Sequence, residues 1–184
     1  MGRIEQLAEK YRQHVSLPWQ QTVAGAQRVI LVIYDKELER ALLGRKQLFE
    51  LATRETGHEW FEVNIADSFA QWMAAGEYRD AYFESPEDLQ LKLDSEFAEY
   101  VAARIRETLE KAEATSVVAA FGVGALFGFT RASRVLKLIE PYIRGRLVVF
   151  FPGVYDQNNY RLLDARDGWN YLAVPITTHS QGGY

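Results

Sequence analysis

The sequence predicts an α/β fold with a mostly parallel sheet covered by helices on both faces. Three observations predict it. Short, almost wholly apolar runs rich in β-branched residues recur along the chain, as expected of strands buried on both sides. Stretches with helical apolar spacing separate these runs, and such alternation implies parallel strands joined by crossover helices. Composition is that of an ordinary globular domain: 48% hydrophobic and 25% charged over 184 residues, which excludes a disordered or disulfide-scaffold class. No composition break divides the chain, so a single domain over 1–184 is expected, with strand order left open.

Ile4, Leu7, Tyr11 and Val15 share one helical face, and that helix should end before Pro18. A loop over 17–27 leads to RVILVIY at 28–34, the first predicted strand. Leu38, Ala41, Leu42, Leu48, Phe49 and Ala52 predict a helix over 36–56, with Gly57 suited to the left-handed residue after its end. A second strand is expected over 60–65. Asp67 and Ser68, with Gln71 three residues beyond Ser68, then form a capping pattern for a short helix ending near Gly76. Ser85-Pro86-Glu87-Asp88 marks another helix start, with proline at the first position and acids at the positive end of the dipole. Asp94 or Ser95 offers a restart before the stripe Phe97, Tyr100, Val101, Ile105 and Leu109. SVVAAF at 116–121 and RLVVFF at 146–151 read as strands, with a glycine-rich turn and a helix over 130–142 between them. Last, 160–164 and 171–176 read as a short strand pair around Asp167-Gly168, with Pro175 restricting the final strand to an edge.

Charge and residue usage narrow the functions. Lys and Arg number 21 against 25 Asp and Glu, a net charge of -4, so the whole chain has no general attraction for phosphate backbones. Without cysteine, thiol catalysis and thiolate metal sites are excluded, and the absence fits a reducing compartment. The first residues lack a continuous apolar stretch and the longest apolar runs fall far short of a membrane span, so a cytoplasmic protein is expected.

The strongest chemical motif is Gly122, Gly124 and Gly128 after the third strand, with Arg131 and Arg134 just beyond. Such a turn can present amides and a helix N-terminus to an anion. Its spacing, G-x-G-x-x-x-G, matches neither a dinucleotide loop nor a P-loop, and no acidic ribose partner follows. The competing reading is tight packing of helix on sheet, and it is preferred. Asp164 and Asp167 offer either a cation site or local partners for Arg161 and Arg166; Asp167-Gly168 as a turn favours structure. His14, His58 and His179 lie apart with no metal-ligand spacing, and Asp35 reads as a helix cap at the ligand-binding side of the sheet. Trp72, Met73, Tyr78, Arg79, Tyr82 and Phe83 combine residue types enriched at interface centres, with packing beneath a loop as the alternative. Arg131, Arg134, Lys137, Arg144 and Arg146 form a basic group that reads as a solvated face more readily than as a DNA contact.

Three blocks carry a resemblance: LPWQQTVAGAQRVILVIYD at 17–35, GVGALFGFTRAS at 122–133, and IRGRLVVFFPG with NNYRLLDARDGWNYLAVPI across 143–176. They resemble the BrxB family of bacterial BREX (bacteriophage exclusion) systems, and the resemblance runs almost end to end. It implies an accessory or assembly subunit in a system that methylates host DNA and restricts phage. PglZ is the implied direct partner, with BrxC and PglX as further candidates. It transfers no catalytic residue, so no enzyme activity and no cofactor are expected. The alternative from the residues alone is a nucleotide- or phosphate-binding regulatory domain using the turn at 122–128.

Overall fold

The computed structural model describes residues 1–76, 84–165 and 168–178. Five parallel strands form its centre in the order β2-β3-β4-β1-β7: β1 (Val29–Tyr34), β2 (Glu59–Asn64), β3 (Ser116–Phe121), β4 (Arg146–Asp156) and β7 (Val174–Ile176). The three middle strands are buried throughout their parallel segments, which is why they read as continuous apolar runs. At the edges the pattern changes. β2 alternates buried Trp60 with exposed Glu59 and half-buried Phe61, and β7 contains Pro175, whose missing N–H costs nothing at an edge.

Period-two alternation sorts the strands between two cores. Val29, Leu31 and Ile33 pack with α6 (Ala98–Lys111) and α7 (Ala132–Ile139) on one face. Ile30, Val32 and Tyr34 pack with α1 (Arg3–Val15) and α3 (Gln47–Glu55) on the other. The expected layers, helices on both faces of a mostly parallel sheet, are therefore present. On the second face the Tyr11 hydroxyl lies 2.5 Å from Thr53 Oγ1, which itself donates to the Phe49 carbonyl at 2.8 Å. Thr53 has one proton to give, so Tyr11 donates to Thr53. Burial raises the Tyr11 pKa and keeps the phenol neutral. Thr53→Val strands that donor, and we expect a loss of about 1–3 kcal/mol in chemical denaturation.

Several boundaries differ from the sequence reading. The helix expected over 36–56 is a 3₁₀ turn (Lys36–Leu38), α2 (Glu39–Gly44) and α3, because the backbone tightens at Gly44 and Arg45 donates to Leu42 three residues back. Gly57 is left-handed, as expected, at φ 89°. α4 (Ser68–Ala75) ends before Gly76, but its capping box does not form: Ser68 is buried and its hydroxyl accepts from Arg104 at 2.7 Å. α5 (Pro86–Lys92) has proline in its first turn and runs into α6 through a π-helical turn (Leu93–Phe97), where a restart was expected. The helix expected over 130–142 is α7 followed by a 3₁₀ turn at Pro141.

The C-terminal part departs most. β4 continues past Phe151 and doubles back through Gln157 and Asn158, both with positive φ, into β5 (Asn159–Leu162). Two left-handed central residues give the twist that a two-residue hairpin needs. β5 pairs with β6 (Trp169–Asn170), so the short strand pair exists. Its second member is not 171–176, however: that stretch separates from the pair, and Val174–Ile176 joins the main sheet beside β1.

Candidate functional site

At the carboxyl ends of β3 and β4 the chain after β3 faces residues 162–165 and 168–169 across a cleft of about 410 Å³. One wall is built from Phe127, Gly128, Thr130, Arg131 and Ala132; the other from Leu162, Asp164, Ala165, Gly168 and Trp169. The carboxyl side of a parallel sheet is where connecting loops leave room for ligands.

The three glycines of the predicted motif do not converge there. Gly122 closes β3 at φ 85°, and a Cβ on it would lie 2.6 Å from the Ala66 amide nitrogen. Its role is close approach to the turn after β2. Gly124 abuts Pro152, where a Cβ would sit 3.3 Å from the proline ring. After Gly122 the chain makes a 3₁₀ turn (Val123–Leu126) that contains Gly124, so the glycines do not lead directly into α7. Gly128, with φ 82° and open space around it, is the one that reaches the cleft. Arg131 stands at the N-cap position of α7, and Arg134 and Lys137 follow along its outer side.

Thr130 is the residue the sequence did not flag. It is 8% exposed, and its Oγ1 is buried without a hydrogen-bond partner among the described residues. Phe127 shows the opposite mismatch: a large aromatic side chain, expected in the core, is 45% exposed. Trp169 backs the far wall through ring contacts with Tyr160 and Tyr171, at 5.2 and 5.3 Å between centroids.

Several carboxylates are engaged in structural pairs. Asp164 pairs with Lys36, whose pKa is raised by that hydrogen bond; Asp167 lies outside the described residues. Asp35 caps no helix with its side chain and pairs instead with Arg3 at 2.8 Å. Asp67 is held below the usual carboxylate range by a hydrogen bond from Arg104, at 2.8 Å. Among the described residues no cluster of His, Asp or Glu has the arrangement of a metal site. His58 stacks on Trp19 and bonds the Thr115 carbonyl, His14 has its pKa lowered by burial and by Arg146, and His179 lies outside the described residues.

The basic group does not form one surface. Arg146 is 8% exposed, bonds the Gly145 and Gln20 carbonyls and lies over the Trp19 ring, while Arg144 bonds the Ala112 carbonyl. Of the predicted interface stretch, Trp72 is half-buried and packs on Phe97 with centroids 5.3 Å apart, and Met73 is half-buried. Tyr78, Arg79, Tyr82 and Phe83 lie outside the described residues. No described helix is long and apolar enough to cross a membrane.

Comparison with curated proteins and with solved structures gave no match. A protein-family model described as BREX protein BrxB matches residues 63–176. That span runs from the end of β2 to the end of β7 and takes in both walls of the cleft, while the 17–35 block lies outside it. A match over more than half of the chain, containing two of the three blocks that carried the resemblance, identifies it as a member of the BrxB family of BREX phage-defence proteins.

Proposed function

We propose that the chain is a non-catalytic assembly subunit of its BREX system, holding other defence proteins in place by protein–protein contact in the cytoplasm. PglZ is the direct partner in this reading, and host DNA methylation and phage restriction are the processes it supports. Family membership is the observation that carries the proposal. Two side chains that sequence reading offered as chemistry also lend support, since Asp35 pairs with Arg3 and Asp164 with Lys36.

The docking surface in this reading is the stretch from Trp72 through Met73 to Tyr78, Arg79, Tyr82 and Phe83. Trp72 rests on the core through Phe97 and still keeps part of its surface open, as does Met73. Aromatic and Met side chains anchored on one side and open on the other suit the centre of an interface. The test is co-purification of the tagged chain with PglZ, BrxC and PglX expressed separately. PglZ should be retained, and Met73→Glu should weaken retention by about tenfold or more with the thermal unfolding temperature unchanged. Retention of none of the three contradicts the proposal.

A further inference from the structure

The amino ends of the central strands hold a groove of about 420 Å³, lined by the loop before β1 (17–20), the run into β7 (172–175), His14 and Arg146. No Asp or Glu lines it, yet Arg146, at the start of β4, is more than nine-tenths buried. Arginine is almost never buried to that degree without an acidic partner, because a desolvated charge with no counter-charge is costly. Arg146 forms no ion pair among the described residues. Its Nη atoms donate to the Gly145 and Gln20 carbonyls at 3.0 and 3.2 Å. Its Nε has no acceptor among the described residues and is not one of the nitrogens closed off from solvent. Burial lowers the Arg146 pKa, and the nearby Arg28 lowers it further. Arg28 itself bonds only the Gln21, Ile143 and Arg144 carbonyls, so the groove has positive charge to spare and no anion of its own.

The walls add rigid and apolar surface. Trp19 is fixed by stacking on His58 at 3.7 Å between centroids and by donating to the Val15 carbonyl at 3.0 Å. Leu17 and Leu172, one from each lining segment, are both more than half exposed.

We infer that this groove receives an acidic side chain carried on an apolar segment of a partner protein. The inference rests on the assembly reading and gives the chain a second docking surface, at the other end of the strands from α4, which follows the carboxyl end of β2. The carboxylate meets the guanidinium donors that the carbonyls leave open, in the forked geometry that arginine offers to carboxylates. The apolar residues beside it cover Leu17 and Leu172. A small free acid seated on Arg146 would leave both leucines in water, so charge and apolar surface together fit a protein segment. An arginine anchor surrounded by contacts that exclude water is a recurrent form of interface centre.

Selection of a random peptide library displayed on phage against the intact chain tests this, followed by fluorescence anisotropy of the enriched peptides. Those peptides should share an Asp or Glu with apolar neighbours. Changing that acid to its amide should weaken binding by about tenfold or more, as should Arg146→Gln in the chain. Leu172→Glu should also weaken it by about tenfold with the unfolding temperature unchanged, so the groove is tested even where Arg146→Gln fails to fold. Absence of enrichment, enrichment of peptides without an acid, or binding indifferent to Leu172→Glu overturns the inference. So does acetate or isobutyrate binding as tightly as the peptides, which would assign the groove to a small acid. No BREX component enters this experiment, so its failure leaves the assembly reading intact, while loss of co-purification with PglZ, BrxC and PglX strikes that reading without changing the peptide result.

Discussion

Phe150→Ala is expected to destabilise the protein by about 3–5 kcal/mol, a large share of the roughly 5–15 kcal/mol that typical domains possess. Phe150 is 1% exposed on β4, opposite Val32 of β1. Its ring stacks on Phe121 of β3 at 4.4 Å and meets Phe49 of α3 edge-on at 4.9 Å. One side chain thus ties two central strands to the helical layer. Truncation opens a cavity whose floor is hydrogen-bonded parallel sheet, which cannot collapse without breaking the β1–β4 register. Urea denaturation should show a lower midpoint with an unchanged slope, and Phe150→Leu should recover more than half of the loss. A cost below about 1 kcal/mol would mean that this layer is not packed as described.

Gly122→Ala should cost about 3 kcal/mol, combining left-handed backbone strain with a steric clash. At φ 85° a side chain is strained whatever the space available, and here there is none. The new Cβ would meet Ala66 N at 2.6 Å and Asn64 Oδ1 at 2.7 Å, and Asn64 Oδ1 already accepts from that same amide at 2.9 Å. The neighbour is backbone held in a turn, so it cannot step aside cheaply. Gly128 supplies the control. With φ 82° and nothing within 4 Å of a Cβ, Gly128→Ala should cost only about 1 kcal/mol. Equal effects in thermal denaturation would show that Gly122 matters for its conformation alone and not for its contact with the turn after β2.

The same comparison shows what the sequence could convey. Strands β1, β3 and β4 were legible because burial on both faces writes itself as an unbroken apolar run, and α1 because Ile4, Leu7, Tyr11 and Val15 must share a face. Gly57 and Ser85-Pro86 were legible because their signals are local to the backbone. The Gln157-Asn158 hairpin was not, since Gln carries little turn preference and its positive φ is imposed by the pairing of β4 with β5. The destination of Val174–Ile176 depends on an unfilled edge beside β1, which no local pattern records.

The cleft divides in the same way. Gly128 and Arg131 were visible as residue types near a helix start, and both line it. Gly122 and Gly124 look identical to Gly128 in sequence, yet contacts with Ala66 and Pro152, distant along the chain, give them a packing role. Thr130 and Phe127 stand out only through burial of a hydroxyl and exposure of a ring, and both are products of tertiary structure. The family resemblance, by contrast, was carried by residue identity, and the blocks at 122–133 and 143–176 lie within the span that the BrxB model matches.

Sedimentation velocity of the intact chain mixed with PglZ tests the assembly role most directly. The account predicts a boundary faster than either protein alone, reduced when Met73→Glu replaces the wild-type chain at the same concentration. Two independent boundaries at every mixing ratio, up to roughly 50 micromolar of each protein, would contradict it.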